Sequence, residues 1–295
     1  MTKRALLILN PAARNAPPIE KLQDAIDGLD GWEVALEQTN GPGHATALAA
    51  GAAKGELDVV IACGGDGTVN EVVNGLAGSR TALAVVRGGT ANVWAKEARL
   101  PKDASAAIRL VAEGEERVVD LGRANERYFL LMAGVGLDAA IVRDVSPTWK
   151  RRIGAAAYLL HGISVARRYQ DVEAELLPGL SGNLCWLLVA NVRNYAGLVE
   201  LALHAQVDDG KLDVCLLRKG GLRRLAWLAP WVVLRRHDRR AHVEYRQQES
   251  LDVATPGLPV QLDGEYAGET PMRFEVAPGA LRVIVPRGQR RPIFS

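Results

Sequence analysis

Ile61-Ala62-Cys63-Gly64-Gly65-Asp66-Gly67-Thr68-Val69-Asn70-Glu71-Val72-Val73-Asn74-Gly75 decides the fold class. An apolar strand runs into closely spaced glycines and then into a helix. Glycines lack Cβ atoms, so backbone amides there can approach a bulky anion. The following helix adds its N-terminal N–H groups and the positive end of its dipole. Phosphate is the natural guest of such a turn. Thr68 is expected to cap the helix or bond a phosphate oxygen, and Asp66 to hold Mg²⁺ or a water among the phosphates. A plain β–α turn uses the same residues, so the loop alone leaves both readings open. Neither G-x-G-x-x-G nor Gly-Lys-[Ser/Thr] is present, which sets the stretch apart from the two common nucleotide loops.

The same pattern extends outward from this turn. ALLILN, WEVALEQ, DVVIACGG and TALAVVRGG are apolar runs that suit parallel strands buried on both faces. Between them lie helical stretches, one with Leu22, Ala25, Ile26 and Leu29 on a single face and one Ala-rich from His44 to Ala53. A second small-residue turn, Arg87-Gly88-Gly89-Thr90-Ala91-Asn92, follows the next strand. Turns at the carboxyl ends of neighbouring parallel strands face one crevice, so the two loops are expected to converge on one ligand. Asn10-Pro11 and Thr39 stand at the equivalent ends of the first two strands.

After about Asp120 the texture changes. RYFLLMAG, DVEAEL, NLCWLLVANV, KLDVCLL, PVQLDGEY, MRFEVA and ALRVIV read as strands separated by turns, with helical patterns only over about 146–169 and 222–240. The expectation is an α/β nucleotide-binding domain over 1–122, built like NAD kinase and phosphofructokinase on a parallel sheet. A β-rich sandwich domain would fill 123–295, its last strands crossing back to the first domain. Composition agrees with a folded protein, at 48% apolar and 24% charged over 295 residues. A net charge of +2 is too small for a dedicated nucleic-acid binder. Three cysteines without C-x-x-C spacing argue against a disulfide framework and a zinc knuckle, which fits a reducing cytoplasm. The short apolar run at the start ends in Asn-Pro and reads as a strand, not as an export signal.

Asn10-Pro11, Thr39 with Gly43-His44-Ala45, the Gly64–Val72 element, Gly89-Thr90-Ala91-Asn92 and Leu262-Asp263-Gly264-Glu265 occur in one order along the chain. With Asp120-Leu121-Gly122, Gly134-Val135-Gly136-Leu137-Asp138-Ala139 and Asp208-Asp209-Gly210-Lys211-Leu212-Asp213, the set resembles the bacterial diacylglycerol kinase-like lipid kinases. Sphingosine and ceramide kinases share that catalytic domain. The resemblance implies a two-domain enzyme that holds ATP between its domains and phosphorylates a hydroxyl of diacylglycerol or a related lipid. Asn10, Thr39, Gly64, Gly65, Asp66, Gly67, Thr68, Asn70, Gly89 and Thr90 would then bind ATP. An acid of the Asp263-Gly264-Glu265 turn, either Asp263 or Glu265, would act as general base, with Asp66 beside it. A structural Mg²⁺ would take the Asp209 side chain with the carbonyls of Gln206 and Lys211, and Asp120 would help hold the catalytic Mg²⁺. Two residues depart from the family pattern: Val93 where Asp is common, and Met132 where a polar residue is frequent.

Phosphoryl transfer needs aligned reactants, cations over the developing charge and a base for the attacking hydroxyl. Asp-Gly between Leu262 and Glu265 is also the signature of a two-residue hairpin. Gly-x-Ser-x-Gly is absent, and His237 and His242 lack metalloprotease spacing. The stretch Arg223-Arg224-Leu225-Ala226-Trp227-Leu228-Ala229-Pro230-Trp231-Val232-Val233-Leu234-Arg235-Arg236 is too short to span a bilayer but suits its interface, and a second basic candidate runs from Trp149 to Tyr169. The expected partners are therefore a lipid substrate and a membrane surface, with peripheral association from the cytoplasm; a homodimer is open. A soluble kinase of the NAD type and a non-catalytic lipid- or nucleotide-binding module are the competing readings.

Overall fold

The computed structural model describes residues 2–144, 162, 164–177, 180–288 and 293–295. The first layers are β1 (Lys3–Leu9), α1 (Ile19–Asp27), β2 (Trp32–Gln38), α2 (His44–Lys54), β3 (Val59–Gly64), α3 (Asp66–Leu76), β4 (Ala82–Arg87), α4 (Val93–Glu97) and α5 (Ala104–Glu113). The strands pair in parallel in the order β2-β1-β3-β4. Every residue of β3 is buried, as a central strand covered on both faces requires. Side chains alternate between two cores. Leu6, Ile8, Val60 and Ala62 pack with α2 and α3, while Leu7, Leu9, Ile61 and Cys63 pack with α1 and α5.

The remaining strands are β5 (Glu115–Ala124), β6 (Arg127–Phe129), β7 (Met132–Gly136), β8 (Val172–Leu177), β9 (Leu180–Leu184), β10 (Trp186–Ala190), β11 (Asn194–Tyr195), β12 (Val199–Glu200), β13 (Leu212–Leu217), β14 (Val243–Gln248), β15 (Ser250–Val253), β16 (Pro259–Leu262), β17 (Glu265–Glu269) and β18 (Met272–Val285). Helices α6 (Leu137–Asp144) and α7 (Leu222–Val233) accompany them. An antiparallel sheet runs β14-β13-β10-β7-β16-β17. Its inner face, with Val135, Val189, Val214 and Val260, meets Phe129, Leu176, Leu251 and Phe274 from the other sheet in one sandwich core.

β18 joins the two halves. Its end pairs in parallel with β4, its start pairs with β15, and β5 runs antiparallel along it. MRFEVA and ALRVIV, separate runs in the sequence, are thus one strand with a register shift between Ala277 and Leu281. Pro278 lacks an N–H to give to the ladder, and Gly279 sends its own to the Asp120 carboxylate. RYFLLMAG divides instead. Leu130 and Leu131 lie between β6 and β7 because their N–H groups are taken by the Asp263 carboxylate. The helical stretch expected over 146–169, with its second basic membrane candidate, lies mostly outside the described residues.

Candidate active site

The two glycine turns lie at the carboxyl ends of β3 and β4 and pack backbone on backbone. Gly88 N–H donates to Gly64 O at 2.8 Å. A Cβ on Gly89 would stand 2.5 Å from the Gly65 Cα, and one on Gly64 would stand 2.6 Å from the Thr68 hydroxyl. Gly88 and Gly89 are therefore required by the contact between the turns and Gly64 by the Thr68 side chain of its own turn, and none of them adopts a left-handed φ. Gly67 differs. The nearest atom to a Cβ built there is Glu265 Oε1, at 2.9 Å, reaching over from the sandwich domain.

Helix α3 begins at Asp66 with Gly65 as its N-cap and no side chain capping it. First-turn N–H groups without a side-chain cap form an anion site. Thr68 does not cap. Its hydroxyl accepts from Asn10 Nδ2 at 2.9 Å, while Asn10 Oδ1 accepts from Ala12 N–H at 3.0 Å, so Asn10 joins the first strand end to the loop. Asp66 Oδ1 accepts the Val93 N–H at 2.7 Å and so holds the start of α4. Burial pushes the Asp66 carboxyl up, and the amides of Val93, Trp94 and Asn92 oppose this. Thr39 is half-buried, its N–H on Leu9 O, and Thr90 is exposed on its turn. Asn92, part of the motif but without a role of its own in the sequence, closes that turn by bonding both the N–H and the carbonyl of Gly89.

The Asp263-Gly264 pair is indeed a two-residue hairpin turn, with Leu262 opposite Glu265 and positive φ at both central residues, +48° and +85°. Its first carboxylate is turned inward. Asp263 Oδ1 accepts from Leu131 and Met132 N–H, each at 2.9 Å. Oδ2 accepts from Leu130 N–H at 2.9 Å and from Asn70 Nδ2 at 2.7 Å. Four donors fill its lone-pair sites. Burial still dominates and pushes the Asp263 carboxyl up to about 6, against the pull of those N–H groups. Glu265 is exposed, with Arg127 3.8 Å away. Sequence reasoning also missed Gln261, which accepts the Gly264 N–H at 2.7 Å and donates to the buried Asp138 at 2.8 Å. A Cβ on Gly134 would strike Asp138 Oδ2 at 2.1 Å, which explains the small residue before that aspartate.

A second acidic locus lies in the loop before β13. Burial raises the Asp209 carboxyl, and the nearby charges of Asp120 and Asp208 add to this. Such crowding of negative charge fits a hard cation with oxygen ligands, although Asp209 Oδ1 already accepts the Lys211 N–H at 3.1 Å. Asp120 is already bonded on each oxygen, to the N–H of Gly210 and of Gly279, both at 2.7 Å. It ties the loop to β18. Among the described residues no three His, Cys, Asp or Glu side chains converge as a metal cluster, so Mg²⁺ here would rely on carbonyls, water and substrate oxygens.

The diacylglycerol kinase catalytic domain matches residues 4–124, and the YegS C-terminal NAD kinase beta sandwich-like domain matches residues 132–285. A diacylglycerol kinase of Bacillus subtilis (strain 168) is 31% identical over 97% of this chain and 97% of its own length. The chain belongs to the diacylglycerol kinase family. A diacylglycerol kinase of Staphylococcus saprophyticus is 30% identical over 93% of this chain and 92% of its own. Two crystal structures from Bacillus anthracis str. Sterne, both named for a diacylglycerol kinase, share the fold. Their TM-scores are 0.80 and 0.78 at 23% identity, each covering 97% of this chain and 98% of theirs. Val93, which departs from the pattern expected from the resemblance, gives its N–H to Asp66.

Proposed function

We propose that this chain transfers the terminal phosphoryl group of ATP to a hydroxyl of diacylglycerol or a related lipid. The observation that carries the reading is the arrival of the Asp263–Glu265 turn at the start of α3, with Glu265 over Gly67 and Asp263 bonded to Asn70. That arrangement sets carboxylates from one domain against an anion site in the other.

The α3 N-terminus, left open by Gly65, binds and orients phosphate oxygens. Asn10 fixes the Thr68 hydroxyl beside them, and Asp66 holds the second turn in place through Val93. Asp263 is the base. With a pKa of about 6 it is ionised at neutral pH yet able to accept a proton. To take that proton it must release one donor, and Asn70, which also donates to Tyr128 O, is the donor that comes from a side chain rather than from the backbone. Mg²⁺, when bound among the phosphates with Glu265 and Asp66 at hand, supplies neutralising charge for the transfer. Asp209, with Gln206 and Lys211, would hold a structural ion away from the reacting groups.

ADP release is measured in mixed micelles of diacylglycerol, phosphatidylglycerol or sphingosine, and with NAD in solution. Turnover only with a lipid alcohol supports the proposal. Turnover with NAD would assign a soluble acceptor, and release with none would leave a binding module.

A further inference from the structure

Helix α7 has no buried residue. Leu222, Leu225, Leu228, Trp231 and Val232 are half-covered and mark the face toward the protein. The opposite face is apolar too: Ala226, Trp227, Ala229, Pro230 and Val233 are exposed, Trp227 by 53% and Val233 by 73%, and Leu234 follows at 59%. A helix that is apolar on its solvent side is missing a partner. The hairpin it packs on, β11–β12, adds Leu198 at 77% exposure.

Charge selects the partner. Arg223 and Arg224 precede the apolar face, Arg235 and Arg236 follow it, and no acidic residue lies between Gly220 and Arg236. Among the described residues Arg223, Arg224 and Arg236 form no ion pair, while Arg235 bonds Glu200 at 2.8 Å. Arg240 lies over the Trp231 ring, with 3.4 Å from its guanidinium carbon to the ring centroid. A second copy of this chain fits such a face poorly. Both helix ends are cationic, so laying one α7 against another in either direction sets arginines against arginines. An anionic bilayer satisfies both parts: apolar side chains enter the headgroup boundary, tryptophan sits at its level, and arginines meet lipid phosphates. The helix is about 18 Å long, against a hydrocarbon core of about 30 Å, so it lies along the surface.

We propose that the outer face of α7, with its flanking arginines, docks this protein on anionic lipid. The β11–β12 hairpin also connects this face to the crevice. Asn194 N–H bonds Glu97 at 2.6 Å and Lys96 bonds Gly197 O at 3.2 Å, both on α4, whose start is held by Asp66. The docking proposal does not depend on turnover, because binding is read without nucleotide or acceptor.

The full chain is sedimented with vesicles of phosphatidylcholine, with or without phosphatidylglycerol, at low and high salt. Binding is expected only with phosphatidylglycerol and to fall with salt. Arg223→Gln with Arg224→Gln should weaken it about fivefold per arginine removed. Trp227→Ser with Val233→Ser should weaken it by roughly tenfold or more, with circular dichroism unchanged. Binding that ignores lipid charge, or that survives both double substitutions, overturns the proposal. So does a lipid-free dimer dissolved by the Trp227 and Val233 changes, which would assign the face to a second copy.

Discussion

Asn70 Nδ2 donates to Asp263 Oδ2 at 2.7 Å across 193 residues of sequence, joining α3 to the hairpin turn of the other domain. The bond favours the ionised carboxylate. Asn70→Ala removes it, so the Asp263 pKa should rise further above about 6. A base works only when deprotonated. The acidic limb of kcat/KM, expected near pH 6 in the parent, should therefore move to higher pH in the variant, with activity lost at pH 6 before it is lost at pH 8. An unmoved limb would remove Asp263 from the base role.

Asp263 and Glu265 differ in what a neutral substitute does. Asp263→Asn places an NH₂ group among N–H donors from Leu130, Leu131, Met132 and Asn70. Unpaired donors cost about 1–3 kcal/mol each, so this variant should unfold at clearly lower denaturant as well as lose turnover. Glu265→Gln, at an exposed side chain, should keep the parent's stability within about 0.5 kcal/mol. It should also keep the acidic limb near pH 6 while kcat falls. A Glu265→Gln profile without the limb would transfer the base role to Glu265.

The glycines of the two turns should separate by function. Gly89→Ala drives a methyl into the Gly65 backbone, which cannot swing aside, and should destabilise by about 1–3 kcal/mol. Gly67→Ala meets only the end of the Glu265 side chain, which can turn away. Its unfolding midpoint should barely move while the KM for ATP rises. Chemical denaturation and steady-state kinetics on the two variants check the contrast.

Much of this architecture is legible from local pattern. Apolar runs alternating with helical stretches give the parallel sheet, and glycine-rich turns after β3 and β4 mark the crevice because parallel strands carry their ligand loops at one end. The roles of individual residues are less so. Gly64, Gly65, Gly88 and Gly89 read as an anion cradle, and the structure adds a packing reason for them: a Cβ on Gly65, Gly88 or Gly89 would meet the backbone of the facing turn, and one on Gly64 the Thr68 side chain. Asp66 reads as a metal ligand, yet one oxygen holds Val93. Asp263 looks like any Asp-Gly turn until Leu130, Leu131 and Met132 give up their ladder bonds to it. Such partners lie more than a hundred positions away, where no spacing rule reaches. Pro278-Gly279 reads as a turn for the same reason: its compensation, the Asp120 carboxylate, comes from another strand.

The loop before β13 gives a test by ligand linkage. A cation at Asp209 relieves the repulsion from Asp120 and Asp208, and a ligand that binds only the folded state raises the melting temperature. Added Mg²⁺ should raise the Tm of the parent, chelator should reverse it, and Asp209→Asn should abolish the response. A parent Tm indifferent to Mg²⁺ would argue against this ion site.

Gln261 decides how firmly the turn is held. Its carbonyl oxygen accepts the Gly264 N–H at 2.7 Å, and its amide donates to Asp138 at 2.8 Å; Tyr195 donates to the other oxygen of Asp138. Gln261 touches no reacting atom, so it is a positioning residue. Gln261→Leu leaves both Asp138 and Gly264 without this partner and frees the turn, and Gln261→Glu keeps the acceptor for Gly264 while setting a carboxyl against Asp138. If positioning matters, kcat should fall by about tenfold or more in Gln261→Leu, as a small misplacement of a catalytic group suffices for that loss. KM for ATP should stay near the parent value, because α3 and its anion site are untouched. A merely structural role would lower the Tm without splitting kcat from KM. Partial recovery of kcat in Gln261→Glu as pH falls, taken relative to the parent at the same pH, where the introduced carboxyl is protonated and can donate to Asp138, would tie the effect to this bond; equal loss relative to the parent in both variants at every pH would count against it.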